Sequence, residues 1–86
     1  MVKITWDEPK RLANLAKHGM DFRVLDGDFF LRSAIVPAKA GRSMAIGRLD
    51  DGTIVVVFSR LGTEGISVIS MRPASASERR FLYDEG

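Results

Sequence analysis

Along this chain, alternating apolar and polar residues give way to helical spacing and then return. Val2 to Thr5 alternates and reads as a short first strand. A capped helix follows from about Glu8 to His18. Asp7 stands where a carboxylate accepts the free N–H groups of a first turn, and Pro9 falls where no N–H is needed. Lys17 and His18 suit the negative end of the helix, and Gly19 can take the left-handed conformation that stops it. Lys10 and Asn14, four residues apart, share one face for reasons the caps do not explain. The spacing predicts a second helix from Phe22 to Phe30, begun by Asp21, with Phe22, Leu25 and Phe29 inward and Gly27 as a weak point.

The remainder is strand-like. Ser33 to Val36 is a short strand ended by Pro37, and Ala38 to Gly41 is a loop. Arg42 to Leu49, Thr53 to Arg60 and Gly65 to Arg72 read as consecutive antiparallel strands, joined by the hairpin signal Asp51-Gly52 and the turn Leu61 to Gly65. Strand parity puts Arg42, Met44, Ile46 and Arg48 on one face, and groups Ile54, Val56, Phe58 and Arg60 in the next strand. In the last strand it groups Ile66, Val68, Ser70 and Arg72 against Ser67, Ile69 and Met71. Ser75 and Glu78 form a capping box that opens a C-terminal helix through Tyr83. The expected fold is one α+β domain over residues 1–86. Its antiparallel sheet of about four strands carries the two N-terminal helices on one face and a C-terminal helix.

With 86 residues the chain buries a small core, and with no cysteine it has neither disulfides nor thiolate metal sites to compensate. A reducing cytoplasm and a docked partner fit that composition. One histidine and no carboxylates at ligand spacing argue against a metal or other cofactor, and no apolar run reaches bilayer length. The net charge of +2 is only mildly basic. Its distribution says more: Arg32, Lys39, Arg42, Arg48, Arg60 and Arg72 face only Asp50, Asp51 and Glu64 between Leu31 and Arg72.

Charged residues in central strands collect at strand ends, as Arg48, Arg60 and Arg72 do. They form either an arginine-lined face that grips phosphates bidentately or a set of solvated edge charges. His18 reads as a dipole partner or a substrate contact, Trp6 as core or as a stacking platform for a base, and Ser70 as a local strand hydroxyl or a ligand contact. Lys10, Arg11 and Lys17 are solvated charges or a ridge facing nucleic acid, and Arg79 and Arg80 are an exposed helix face or a contact to nucleic acid or a protein partner.

Two segments carry a family resemblance. Trp6-Asp7-x-x-Lys10-x-x-x-Asn14-x-x-Lys17-His18-Gly19-x-x-Phe22 resembles the opening signature of the BrnT family, ribonuclease toxins of type II toxin-antitoxin pairs with a RelE-like fold. Val57 to Arg60 and Ile69 to Arg79 resemble the family's paired late strands and its Ser-x-Arg-x-Ala run, here Ser70-Met71-Arg72-Pro73-Ala74. Ser67 departs from the Arg of many members, and Met71 and Pro73 replace commoner residues.

The resemblance implies a cytoplasmic, metal-independent endoribonuclease that inhibits translation. It further implies neutralisation by a ribbon-helix-helix antitoxin in a two-to-two hetero-oligomer, with DNA reached only through that antitoxin and no membrane involved. Cleavage by 2′-OH attack needs a base, cations for the phosphorane and an acid. Arginine supplies only the cations, so Lys39, Glu64, His18 or an RNA group remain as bases. The resemblance places catalysis on basic and hydroxyl residues of the sheet face, for which Lys39, Arg42, Arg48, Ser59, Arg60 and Arg72 are the candidates. Trp6, Lys10, Lys17, His18, Ser70 and Arg79 are the corresponding RNA-binding candidates. The alternative is an inactive nucleic-acid- or protein-binding module of the same fold.

Overall fold

In the computed structural model, which describes residues 2–50 and 52–83, five strands form one sheet in the order β1-β5-β4-β3-β2. The strands are β1 (Lys3–Trp6), β2 (Ala34–Pro37), β3 (Ser43–Leu49), β4 (Gly52–Leu61) and β5 (Gly65–Pro73). The helices are α1 (Glu8–His18), α2 (Gly27–Arg32) and α3 (Ala76–Tyr83), with 3-10 turns at Phe22–Val24 and Lys39–Gly41.

The sheet corrects the expected topology. It has five strands, not about four, and it is mixed: β1 lies parallel to β5, with Ile4 opposite Ile66 and Trp6 opposite Val68, while the other neighbours are antiparallel. Alternation identifies a strand without naming its neighbour. Parallel pairing needs a long crossover, and here everything between β1 and β5 supplies it.

The expected second helix is also two pieces. Asp21 accepts the Arg23 N–H to open the 3-10 turn, and Asp26 accepts the Phe29 N–H at 2.9 Å to open α2. Gly27 therefore starts a helix instead of weakening one. In α1, Gly19 stops the helix at φ 68° with its N–H on the Leu15 carbonyl, as expected. The Asp7 side chain makes no capping bond: its backbone carbonyl accepts from Lys10 and Arg11, and its carboxylate stands 3.9 Å from the Lys10 ammonium. The capping box forms in full, Ser75 Oγ accepting from the Glu78 N–H and Glu78 accepting from the Ser75 N–H. Asp51 of the hairpin signal lies outside the described residues, while Gly52 opens β4 opposite Leu49.

One sheet face carries the main core. Phe22, Leu25, Phe29 and Phe30 pack onto Ala45, Ile54, Val56, Phe58, Val68 and Met71, with Ile4 and Trp6 at the margin. Gly47 sits on this face, where an added Cβ would drive into the Ser33 side chain and meet Phe29 at 3.1 Å. α3 packs against β3 on the opposite face, where Ile46 and Val55 are fully buried.

Parity fails at one point in β5. Val57 pairs with Ser70 while Phe58 pairs with Val68, so Ile69 is an unopposed bulge residue. That extra residue reverses the face of everything after it: Met71 joins Ile66 and Val68 in the core, and Ser70 and Arg72 turn to the α3 side.

Candidate functional site

The bulge coincides with the end of β1, whose last partner is Val68. Beyond it β5 has no strand on that edge, and α1 lies there instead. Asn14 is the join. Its Oδ1 accepts the Met71 N–H at 3.0 Å and its Nδ2 donates to the Met20 carbonyl at 3.1 Å, so one buried amide satisfies a strand edge and a helix-ending loop.

This docking forms an open cleft of about 350 Å³ between α1 and β5, lined by Lys10, Ala13, Asn14, Lys17, His18, Ile69, Ser70 and Arg72. Four expected RNA contacts (Lys10, Lys17, His18 and Ser70) thus meet one expected catalytic residue, Arg72. Spacing on a helix explains the first three, and the bulge explains the last two. The arrangement offers three cations, an imidazole and a hydroxyl in one concavity, a set suited to a phosphodiester.

Arg72 is already engaged. Its guanidinium donates to both carboxylate oxygens of Glu78 on α3, at 2.8 and 2.7 Å. The Arg72 guanidinium, aided by the Ser75 N–H, pushes the Glu78 carboxyl from 4.5 down to about 2 despite partial burial, and Glu78 raises Arg72 in turn. Sequence reasoning found Glu78 only as a cap. Its second task depends on the bulge at Ile69, which turns Arg72 toward α3.

The remaining candidates lie elsewhere. Lys39 and Arg42 flank the exposed 3-10 turn before β3. Ser59 and Arg60 end β4 beside them, with the Arg60 guanidinium 5.7 Å from the centre of the Phe58 ring. Arg48 pairs with Thr53 and Arg72 with Val55, so both belong to the other end of the sheet. Ser59, Ser67 and Thr5 share one register row, a line of hydroxyls on the α3 side. Arg79 is exposed on α3. Trp6 packs edge-on against Phe22 at 6.2 Å and donates its indole N–H to Glu8. Glu8 is held down to about 2 by Arg11 and that indole, and Arg11 also bonds both oxygens of Asp21.

A family model described as the ribonuclease toxin, BrnT, of type II toxin-antitoxin systems matches residues 6–78, which contain every residue of the cleft. The chain belongs to the BrnT family. It is also similar to a crystal structure of the Brucella abortus ribonuclease toxin BrnT, with 53% identity, a TM-score of 0.82, and coverage of 87% of this chain and 99% of that one. Comparison with curated protein sequences finds no match. Membership in the BrnT family supports ribonuclease activity and implies an RNA target and an antitoxin partner. Among the described residues, no helix is long and apolar enough to cross a membrane.

Proposed function

We propose that this BrnT chain is a metal-independent endoribonuclease that cuts RNA in the α1–β5 cleft, acts in the cytoplasm to inhibit translation, and is silenced by a ribbon-helix-helix antitoxin. The proposed toxin-antitoxin complex holds two copies of each. The observation that carries the site is the meeting of Lys10, Lys17, His18, Ser70 and Arg72 in one concavity.

In this reading Lys10, Lys17 and Arg72 hold the scissile phosphate, and Ser70 orients it by hydrogen bonding. His18 takes the 2′-OH proton as the 2′ oxygen bonds to phosphorus. The bond from phosphorus to the 5′ oxygen then breaks, and that oxygen takes a proton from a lysine ammonium, leaving a 2′,3′-cyclic phosphate and a 5′-hydroxyl. Lys39, Arg42, Ser59 and Arg60 serve the flanking strand. They stand about five β4 residues, roughly 17 Å, from the Arg72 level, a span of several nucleotides. Arg48 adds charge at the cleft end of the sheet, and Arg79 extends it along α3.

Purified protein incubated with total RNA in EDTA should cut it, and His18→Gln should lower the rate by about 100-fold. A folded wild-type protein that neither cuts RNA nor arrests growth on induction would instead favour a non-catalytic binding module. The bidentate hold of Glu78 on Arg72 is the observation on that side, since it spends the cation best suited to a phosphorane.

A further inference from the structure

Away from the basic cleft, the core face ends in a second concavity of about 670 Å³, lined by Val2, Ile4, Asp26, Gly27, Asp28 and Leu31. Its chemistry is the reverse of the first. The floor is apolar, and Leu31 is 83% exposed although it lies in a helix whose Phe29 and Phe30 are buried. Val2, beside it, is 38% exposed. The rim is acidic. Asp26 spends one oxygen capping α2, and the Arg32 guanidinium donates to the Asp28 main-chain carbonyl, while neither the Asp26 nor the Asp28 carboxylate forms an ion pair among the described residues. β1, which forms one wall, is an edge strand with β5 as its sheet partner.

An exposed leucine beside an apolar hollow costs solubility unless something covers it. Nucleic acid is a poor occupant, because two carboxylates repel phosphates. A polypeptide with apolar side chains flanked by lysine or arginine fits both floor and rim. We propose that the β1–α2 groove seats a segment of the antitoxin, with apolar residues over Val2, Ile4 and Leu31 and basic residues against Asp26 and Asp28. The inference rests on the antitoxin partnership proposed above and adds where the partner docks and by what chemistry. It leaves the α1–β5 cleft out of this contact.

The test uses the full chain and, as probe, the purified antitoxin encoded beside its gene. Leu31→Asp should weaken binding by about tenfold or more. Asp28→Lys should weaken it several-fold, more at low salt. Both variants should keep the fold and RNA cleavage, with Tm lowered by no more than about 8 °C because each sets a charge against the α2 dipole. Hydrogen exchange in the complex should protect residues 2–6 and 26–31. Wild-type affinity in both variants, or protection confined to α1 and residues 69–72, overturns the docking site while leaving the antitoxin reading intact. If the wild-type chain itself does not bind the antitoxin, both readings fall. If Leu31→Asp instead dissociates a dimer of the chain alone in sedimentation, the groove is a self-association surface and the proposal is overturned.

Discussion

Replacing Asn14 with alanine removes a side chain that bridges α1, the Met20 loop and β5. The Met71 N–H it serves belongs to a fully buried residue and loses its acceptor. Leaving such a donor unpaired costs about 1–3 kcal/mol. The Met20 carbonyl is on a half-buried residue and can hydrate, so its loss adds only about 0.5–1 kcal/mol. Asn14→Ala should therefore destabilise the domain by about 1.5–4 kcal/mol, a fall in Tm of about 6–32 °C for a domain this small. Urea unfolding at constant m-value measures it. Asn14→Asp keeps the acceptor for Met71 but sets a carboxylate against the Met20 carbonyl, so burial and that oxygen raise its folded pKa. Relative to wild type, its deficit should be full at neutral pH and shrink as pH falls through the raised value. A change below about 0.5 kcal/mol for Asn14→Ala, or a pH-independent deficit for Asn14→Asp, would refute the bridging role.

Three further outcomes are expected. Gly47→Val should cost about 1–3 kcal/mol by overpacking Phe29 and Ser33, read as a lowered urea midpoint. Because Glu78 is pushed from 4.5 to about 2, the stability it draws from Arg72 is complete above about pH 5 and is lost as pH falls toward 2. The gap between wild type and Glu78→Gln, about 1–2 kcal/mol at neutral pH for a partly exposed pair, should close over that window in acid titrations. Lys10→Gln with Lys17→Gln should reduce RNA cleavage more than Lys39→Gln with Arg42→Gln, measured on one radiolabelled transcript, because only the first pair lines the cleft.

Much of the site was legible as composition but not as placement. The helix that carries Lys10, Asn14, Lys17 and His18 ends where its caps said it would, because Gly19 acts locally. The shared face of Lys10 and Asn14 was visible from a four-residue spacing, yet their tasks diverge. Asn14 is spent inside the fold, and Lys10 opens to the cleft. Parity groups Ser70 and Arg72 with Ile66 and Val68, and the bulge puts them on the opposite face, since a period of two has no means of registering an inserted residue. Opposite strand directions already separate Arg60 from Arg72 in the sequence and bring Arg60 nearer Arg42, and the pairing sets Lys39, Arg42, Ser59 and Arg60 at one end of the sheet with Arg48 and Arg72 at the other.

By itself, then, the sequence determined what depends on a few neighbouring residues: the strands, the ends of α1, the capping box of α3, and the family signature. Tertiary structure decided what depends on distant partners. It put β1 parallel to β5 across the whole length of the chain, and it left a bulge at Ile69 where β1 stops and Asn14 takes over the edge. The physical reason is common to both. Hydrogen bonds between strands are bought with groups dozens of residues apart, and only their final pairing shows which backbone groups remain for a side chain, a helix or a partner to satisfy.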